Sequence, residues 1–200
     1  MQKLLIASAN PAKVAEYKKY LADLPLELVS LTDLGISQVV VEDGKTFAQN
    51  AAKKVREYGQ LANLPAINDD AGLEVDALNG EPGVKSRRWL GYRMTDQALI
   101  DEVLKRLSGV PVNRRGCQLV AVVALFIPGQ DVYLETASVS GQVALKPTDK
   151  IIAGYPFRSF FWLPNLKKFY ADLTEAEHEQ FNHRRQALEK LKVIIKKELL

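Results

Sequence analysis

A long apolar run in the second half of the chain most constrains the fold. Residues 117–127 are almost all apolar, and a second extended stretch, residues 132–145, follows the short segment Pro128-Gly129-Gln130-Asp131. Proline and glycine in a short polar connection are typical of a turn between two strands. The pattern therefore predicts a long hairpin, and part of the sheet must be antiparallel.

Helical and extended segments alternate along the rest of the chain. Residues that favour N-cap positions precede four helix-forming stretches: Asn10, Thr46, Thr95 and Thr174. The predicted helices cover residues 11–24, 47–58 (ended by Gly59), 95–107, and 174 to the C-terminus. Further strands are predicted at residues 4–7, 26–31, 65–68 and 73–78, with a polar turn at residues 69–72. This alternation predicts an α/β fold, and the absence of a linker predicts a single domain over residues 1–200.

Composition and charge exclude several classes of function. The net charge is only +3 and the basic residues are spread along the chain, so a nucleic-acid-binding module is not expected. The lone cysteine, Cys117, lies in the apolar run, where it should be buried. It leaves no internal disulfide or cysteine metal site and favours a reducing cytoplasm. No stretch approaches 18 uninterrupted apolar residues, so no membrane span is expected.

Ser8, Asn10 and Lys13 surround the first strand-to-helix junction. The N–H groups of a first helical turn are unpaired and the helix dipole is positive there, so the junction suits a phosphate group. Lys13, on the first turn, could reach the same anion. The glycines of a Walker loop are missing. The alternative interpretation is a capped helix with an exposed lysine.

Asp69 and Asp70 form the second candidate cluster. Adjacent carboxylates repel each other, and such a pair after a strand often persists because a cation compensates the charge. Magnesium prefers a few carboxylates together with water and phosphate oxygens, and Glu42 could supply another carboxylate. The alternative is a solvated turn rich in aspartate.

His183 and Arg184 form the third cluster, on the last predicted helix. Neighbouring helical residues diverge by about 100°, so these two side chains cannot point the same way, but both could border a cleft. Arginine suits a phosphate or a base edge through its fork of donors. Arg185 beside them is expected to lie on a solvated face.

In this order, these segments resemble the inosine triphosphatase family, also called the XTP/dITP diphosphatases. The family pattern Ser/Thr-x-Asn-x-x-Lys with a later Glu is matched by Ser8, Asn10, Lys13 and Glu16. Glu-x-Gly-x-Thr-Phe-x-x-Asn-Ala is matched in full by residues 42–51, and the following family lysine falls on Lys54. The family motifs around Asp-Asp, Gly-x-Pro-Gly and His-Arg correspond to residues 68–73, 80–88 and 182–188. The match spans nearly the whole chain.

The resemblance implies an elongated mixed β-sheet flanked by helices, with two lobes and an active-site cleft between them. It implies hydrolysis of nonstandard purine nucleoside triphosphates (ITP, dITP, XTP) to the monophosphate and pyrophosphate, usually by a homodimer. Glu42 and Asp70 would hold Mg²⁺, Asp69 would support them, and Asp70 would help to activate the attacking water. Ser8, Asn10, Lys13 and Lys54 would bind the triphosphate, and the two lysines would offset the charge that grows on it.

His183 and Arg184 would contact the base, and the departures from the family pattern lie on this substrate-facing side. Ala71 replaces a serine, which leaves the backbone N–H for substrate contact. Asn182 replaces the serine before His-Arg, and the family lysine four residues earlier falls on His178.

The family loop Gly-Phe-Gly-Tyr-Asp-Pro, which shapes the purine pocket, is missing, and residues 153–164 stand in its place. Phe157 is the first candidate to stack on the base, with Tyr155 and Phe160 as alternatives. The altered loop leaves open a related pyrophosphatase with a different modified-nucleotide preference. An inactive nucleotide-binding protein is a further alternative, although the intact carboxylates argue against it.

Overall fold

A mixed sheet of seven strands forms the centre of the protein, whose 200 residues are all described by a computed structural model. The strands are β1 Gln2–Ile6, β2 Leu26–Ser30, β3 Ala66–Val75, β4 Gly116–Phe126, β5 Tyr133–Val143, β6 Phe161–Leu163 and β7 Lys168–Phe169. Their order in the sheet is β2-β1-β3-β4-β5-β6-β7. Strand β1 runs parallel to β2 and β3, whereas β6 runs antiparallel to β5 and β7. The predicted α/β class with a partly antiparallel sheet is confirmed.

Four of the five helices begin at the predicted caps, and the start of the last helix was not predicted. The five helices are α1 Pro11–Tyr20, α2 Phe47–Ala62, α3 Asp96–Arg106, α4 Glu175–Phe181 and α5 His183–Leu199. The side chains of the four predicted N-cap residues each accept a hydrogen bond from a first-turn N–H, which satisfies a group that has no partner within the helix. Helix α4 has the full capping box between Thr174 and Glu177. None of the helices combines the length and the apolar composition that a membrane span requires.

The chain divides into two compact units, each with its own core. The first unit comprises residues 1–70, 121–137 and 184–200, and the second comprises residues 71–120 and 138–183. The core of the first unit is built from β1, α1, β4 and α5, and its fully buried side chains include Leu4, Tyr17, Val123 and Leu191. The core of the second unit includes Leu99, Val103, Phe160 and Phe161. Cys117 is buried in the second core, as predicted.

The predicted turn at residues 69–72 is wrong. Strand β3 runs without interruption from Ala66 to Val75, so Asp69 and Asp70 lie within a strand. Aspartate is depleted in strands because its charge is costly to bury. Here cationic partners neutralise Asp69, and their positions far along the chain could not be read from the local sequence.

Two helix ends also differ from the prediction. Gly59 lies inside α2, which continues to Ala62 and ends at Asn63 in the left-handed conformation. The glycine serves close packing instead, because a Cβ atom at residue 59 would lie 2.3 Å from Cδ1 of Phe126. Helix α1 ends at Tyr20, before the predicted residue 24.

The predicted last helix is divided in two at Asn182. This residue is buried and its backbone is extended, with φ −73° and ψ 105°. Asparagine favours the position before a helix, and α5 starts directly after it. The interruption places Arg184 in the first turn of a new helix, which orients its side chain independently of α4.

Candidate active site

The candidate site of the first unit forms where β1 ends beside the first half of β3. These parallel strands pair Ile6 with Ile67, so the segment after β1 lies beside residues 68–70 of β3. The amide nitrogen of the Asn68 side chain donates to the carbonyl oxygen of Ala7, which ties the segment after β1 to β3. The carboxyl end of a parallel strand, here β1, is a usual position of ligand sites in α/β proteins.

The Ser8–Lys13 junction has the geometry of a capped helix start. Ser8 Oγ accepts from the backbone N–H of Asn10 at 3.2 Å, and Asn10 Oδ1 accepts from that of Ala12 at 3.0 Å. Lys13 Nζ extends from the first turn of α1 to Asp69, 2.8 Å from Oδ2 and 3.4 Å from the carbonyl oxygen. The lysine is therefore not an exposed helix-start residue but part of the cluster around β3.

Asp69 is fully buried and surrounded by donors. Its Oδ1 accepts from Tyr17 Oη at 3.2 Å and from Arg184 Nε at 3.0 Å. Its Oδ2 accepts from Lys13 Nζ and, at 3.2 Å, from Arg184 Nη2. Burial alone would raise the pKa of Asp69, but the charges of Arg184 and Lys13 outweigh it and hold the pKa far below its usual range. The carboxylate therefore stays ionised and is occupied by its partners.

Arg184 joins three elements of the first unit at this point. Besides the two bonds to Asp69 on β3, its Nη1 donates to the carboxylate of Glu16 on α1. The guanidinium is almost fully buried, which suits arginine because its rigid fork can satisfy two carboxylates at once. Its donors thus engage Asp69 and Glu16, and the predicted contact of Arg184 with a base stays a prediction.

Asp70 has a different environment although it is the next residue. Its Oδ2 accepts from the Asn50 side-chain amide at 3.0 Å, and its Oδ1 lies 3.7 Å from Lys54 Nζ. Burial raises the pKa of Asp70, and the nearby Glu42 carboxylate raises it further, against the lowering effect of Lys54. Two adjacent carboxyl groups whose pKa values shift in opposite directions are typical of a site that divides charge stabilisation from proton handling.

Lys54 links the remaining carboxylates. Its Nζ lies 2.8 Å from Glu42 Oε1 and donates to the Asp69 carbonyl oxygen at 2.9 Å. Burial alone would lower the pKa of Lys54, but the charges of Asp70 and Glu42 outweigh it and raise the pKa above its usual value. The ammonium group therefore remains charged inside the cluster.

Glu42 reaches Lys54 because Gly44 lets the chain approach α2 closely. The Gly44 N–H donates to Asn50 Oδ1 at 2.8 Å, and a Cβ atom at residue 44 would lie 3.1 Å from the backbone nitrogen of Asn50. The order Glu-x-Gly-x-Thr-Phe-x-x-Asn thus has a physical basis. It contains the carboxylate, the glycine needed for close approach, the N-cap Thr46 and the amide that holds both Gly44 and Asp70.

Glu42 and Asp70 form a donor set that fits a divalent cation. Both carboxylates face the same ammonium group, so their negative charges converge on one region. No group of three or more His, Cys, Asp or Glu side chains could hold a metal ion alone. Two carboxylates, with water and phosphate oxygens completing the coordination, match the preference of Mg²⁺. The residues present therefore fit the predicted cofactor.

The other predicted substrate residues belong to the second unit. Ala71 directly follows Asp70, and His183 is the buried first residue of α5. Phe157 is half-buried against the second core, with its ring centroid 5.9 Å from that of Phe160. The His178 ring packs edge-on against Tyr170 at 5.5 Å. Their contacts with a substrate stay predictions.

Three residues of this cluster had no role predicted from the sequence: Tyr17, and the motif residues Glu16 and Asn50. The helical period contained the signal, because Tyr17 lies four residues after Lys13 and Asn50 lies four residues before Lys54. Side chains at that spacing share one face of a helix, so each is expected beside its lysine.

Comparison with known proteins assigns the family. The model of the Ham1 family matches residues 4–194. The chain is 38% identical over 190 residues to the dITP/XTP pyrophosphatase of Yersinia pseudotuberculosis, covering 94% of this chain and 95% of that one. It is 33% identical to the Bacillus subtilis protein of the same name, covering 98% of both chains. The solved structure of a HAM1 protein from Coxiella burnetii matches with a TM-score of 0.87 and 32% identity, covering 98% of this chain and all of that one. The resemblance predicted from the motifs is confirmed, and the chain belongs to the Ham1 family.

Proposed function

We propose that this protein hydrolyses nonstandard purine nucleoside triphosphates, such as dITP, ITP and XTP, to the monophosphate and pyrophosphate. The observation that carries the proposal is the cluster of two lysines and three carboxylates around residues 69–70, in which Asp69 is fully paired and Asp70 is not. The names of the curated relatives, dITP/XTP pyrophosphatases, support the same reaction. We further propose that residues 1–200 act as one catalytic domain.

In this mechanism the lysines bind the triphosphate. Lys13 and Lys54 both contact Asp69, so their ammonium groups are held before a substrate arrives. Donors that are fixed in advance stabilise the charge that develops in a transition state without reorganisation. Ser8 and Asn10 hold the start of α1, whose dipole favours the same anion.

Asp70 orients the attacking water and accepts its proton. Water attacks the α-phosphorus, the bond to the bridging oxygen breaks, and pyrophosphate leaves with the electron pair of that bond. The Asn50 amide and the Lys54 ammonium group contact the two oxygens of the Asp70 carboxylate and orient it for this role. Asp69 is a positioning residue, because its four hydrogen bonds hold Lys13, Tyr17 and Arg184.

Glu42 and Asp70 would hold Mg²⁺. When bound, the ion neutralises phosphate charge and lowers the pKa of water. The role of the chain is to keep both carboxylates convergent, which Lys54 and Asn50 do through direct contacts.

On the base side we propose that Phe157 stacks on the purine and that His183 and Arg184 read its edge, with His178 and the Ala71 N–H as further substrate contacts. The engagement of Arg184 with Asp69 and Glu16 makes holding Asp69 its first role. A pocket that donates to the six-position oxygen of hypoxanthine or xanthine would leave a buried donor unpaired with adenine.

A panel of nucleotides tests the substrate assignment. Pyrophosphate release would be measured for dITP, XTP, GTP and ATP, each with and without Mg²⁺. We expect kcat/KM for dITP and XTP to exceed that for ATP by at least about a hundredfold, since rejection of an unpaired polar group is that strong. Equal values for dITP and ATP would contradict the assignment of the base.

We also propose that the enzyme is a cytoplasmic homodimer, as the family resemblance implies. Sedimentation equilibrium of the purified chain should give twice the monomer mass of 22.3 kDa. A mass equal to the monomer at micromolar concentration would reject the dimer without affecting the catalytic proposal.

A further inference from the structure

The segment that precedes α2 lies along this helix in a regular pattern. The Gly44 N–H donates to Asn50 at 2.8 Å, and the Glu42 carboxylate pairs with Lys54 at 2.8 Å. The Val40 N–H donates to the hydroxyl of Tyr58 at 3.2 Å. Residues 44, 42 and 40 of the segment thus contact residues 50, 54 and 58 of the helix, so two residues of the segment match four residues of α2.

The two spacings match because of elementary backbone geometry. Four residues of an α-helix rise about 6 Å, and two residues of an extended chain span about 6.6 Å. Alternation of burial agrees with this register, since Val40 is 6% exposed whereas Val39 and Val41 are 80% and 65% exposed. A slip of one residue would turn Glu42 away from Lys54 and bring either Val41 or Asp43 to its position, depending on the direction of the slip.

Of these three contacts, the one made by Tyr58 lies furthest along α2 from the residues that contact Asp70. Its hydroxyl accepts from the Val40 N–H and donates to the Gln38 carbonyl oxygen at 3.0 Å, so it fixes two backbone groups at once. The ring is buried, which holds the hydroxyl in place. Asn50 and Lys54 contact Asp70 directly, whereas Tyr58 contacts the backbone just before Glu42.

We propose that Tyr58 is a positioning residue for the reaction, and that it acts through Glu42. Its hydroxyl fixes the register of residues 38–44 on α2 and thereby keeps the Glu42 carboxylate against Lys54 and beside Asp70. The inference rests on the proposed function only in that Glu42 contributes to hydrolysis.

Amide hydrogen exchange tests the register without reference to activity. Tyr58→Phe removes the hydroxyl and keeps the ring, so exchange of the Val40 amide should accelerate about fivefold or more, as loss of one hydrogen bond predicts. Tyr133→Phe is the matched control, because it removes another bonded hydroxyl, 2.7 Å from Gln130, in the same unit. Unchanged exchange at Val40 in Tyr58→Phe would overturn the proposal, whether or not the protein hydrolyses dITP.

A double-mutant cycle tests the route through Glu42. In the wild-type background, Tyr58→Phe should raise the Mg²⁺ concentration for half-maximal dITP hydrolysis about fivefold, while Tyr133→Phe should leave it unchanged. In the Glu42→Gln background, the residual activity should show no further shift when Tyr58→Phe is added. If Tyr58→Phe shifted the half-maximal Mg²⁺ concentration equally in both backgrounds, the proposal that Tyr58 acts through Glu42 would be overturned. A wild-type protein that does not hydrolyse dITP would instead refute the proposed function.

Discussion

At the scale of single residues, Asp69 and Asp70 show how adjacent identical side chains acquire opposite chemistry. Successive residues of a strand point to opposite sides, so one carboxylate faces Lys13 and Arg184 while the other faces Asn50 and Lys54. The sequence predicted that the pair matters. It could not predict which aspartate is neutralised, because Arg184 lies 115 residues away along the chain.

Substitution of each aspartate by asparagine should change the free energy of unfolding in opposite directions. Asp69→Asn leaves the buried charges of Lys13 and Arg184 undercompensated and should lower the free energy of unfolding by about 3 kcal/mol or more. Asp70→Asn should instead raise the free energy of unfolding at pH 7, because it removes a charge that burial disfavours. Urea unfolding of both variants checks the contrast. Equal destabilisation by the two substitutions would show that Asp70 is a structural ion-pair partner like Asp69.

The two variants, Asp69→Asn and Asp70→Asn, should also differ in how their stability relative to wild type depends on pH. The pKa of Asp69 is lowered in the folded state, so its contribution is complete above the unfolded pKa of about 3.9 and is lost only as pH falls through the lower folded value. The deficit of Asp69→Asn should therefore persist from pH 7 to pH 4. The pKa of Asp70 is raised, so the advantage of Asp70→Asn should shrink as pH falls from its folded value towards about 3.9. Unfolding curves from pH 7 to pH 4 would measure the difference in the free energy of unfolding between each variant and wild type. If the two differences changed in parallel with pH, the opposite pKa shifts of Asp69 and Asp70 would be refuted.

At the scale of elements, four of the five helix starts were predictable, whereas the start of α5 and the ends of α1 and α2 were not. Capping depends on a few neighbouring residues, so Asn10, Thr46 and Thr95 were identified from the sequence alone. The end of α2 depends on tertiary packing, because Gly59 is required by Phe126 on a different element. A glycine read locally as a stop signal was in fact a packing position.

The sign of the stability change caused by Gly59→Ala tests whether residue 59 is a packing position. In an unobstructed helix, Gly→Ala stabilises by about 1 kcal/mol. Here the new methyl group would overlap the Phe126 ring, and overpacking of this kind typically costs about 1–3 kcal/mol, so Gly59→Ala should be destabilising overall. Combination with Phe126→Ala, which removes the Cδ1 and Cε1 atoms that the new methyl group would meet, should relieve most of the overlap in a thermal unfolding cycle. Stabilisation by Gly59→Ala alone would mean that the glycine is not kept for packing.

At the scale of the whole molecule, the sequence predicted the family and fold class because ordered motifs span nearly the entire chain. Most of the residues that the structure brings together around Asp69 and Asp70 were predictable, since each motif there is short and its members share an element or its flank. Their roles towards phosphate and metal stay predictions. The structure of residues 153–164 was not predictable, because they depart from the family loop and form a 3-10 turn and a three-residue strand of their own. Phe157 was a candidate because it is aromatic, and its partly buried side chain packs against the second core.

Product analysis of dITP hydrolysis tests the central claim, that Asp70 in this cluster serves cleavage between the α- and β-phosphates. Wild-type protein with Mg²⁺ should release one pyrophosphate for each dIMP formed, with no orthophosphate, when the products are separated by anion-exchange chromatography. Asp70→Asn should remain folded and lose turnover by at least about a thousandfold, the scale typical of a lost proton-transfer group combined with a lost metal ligand. Formation of dIDP and orthophosphate, or near-normal turnover in folded Asp70→Asn, would contradict the account.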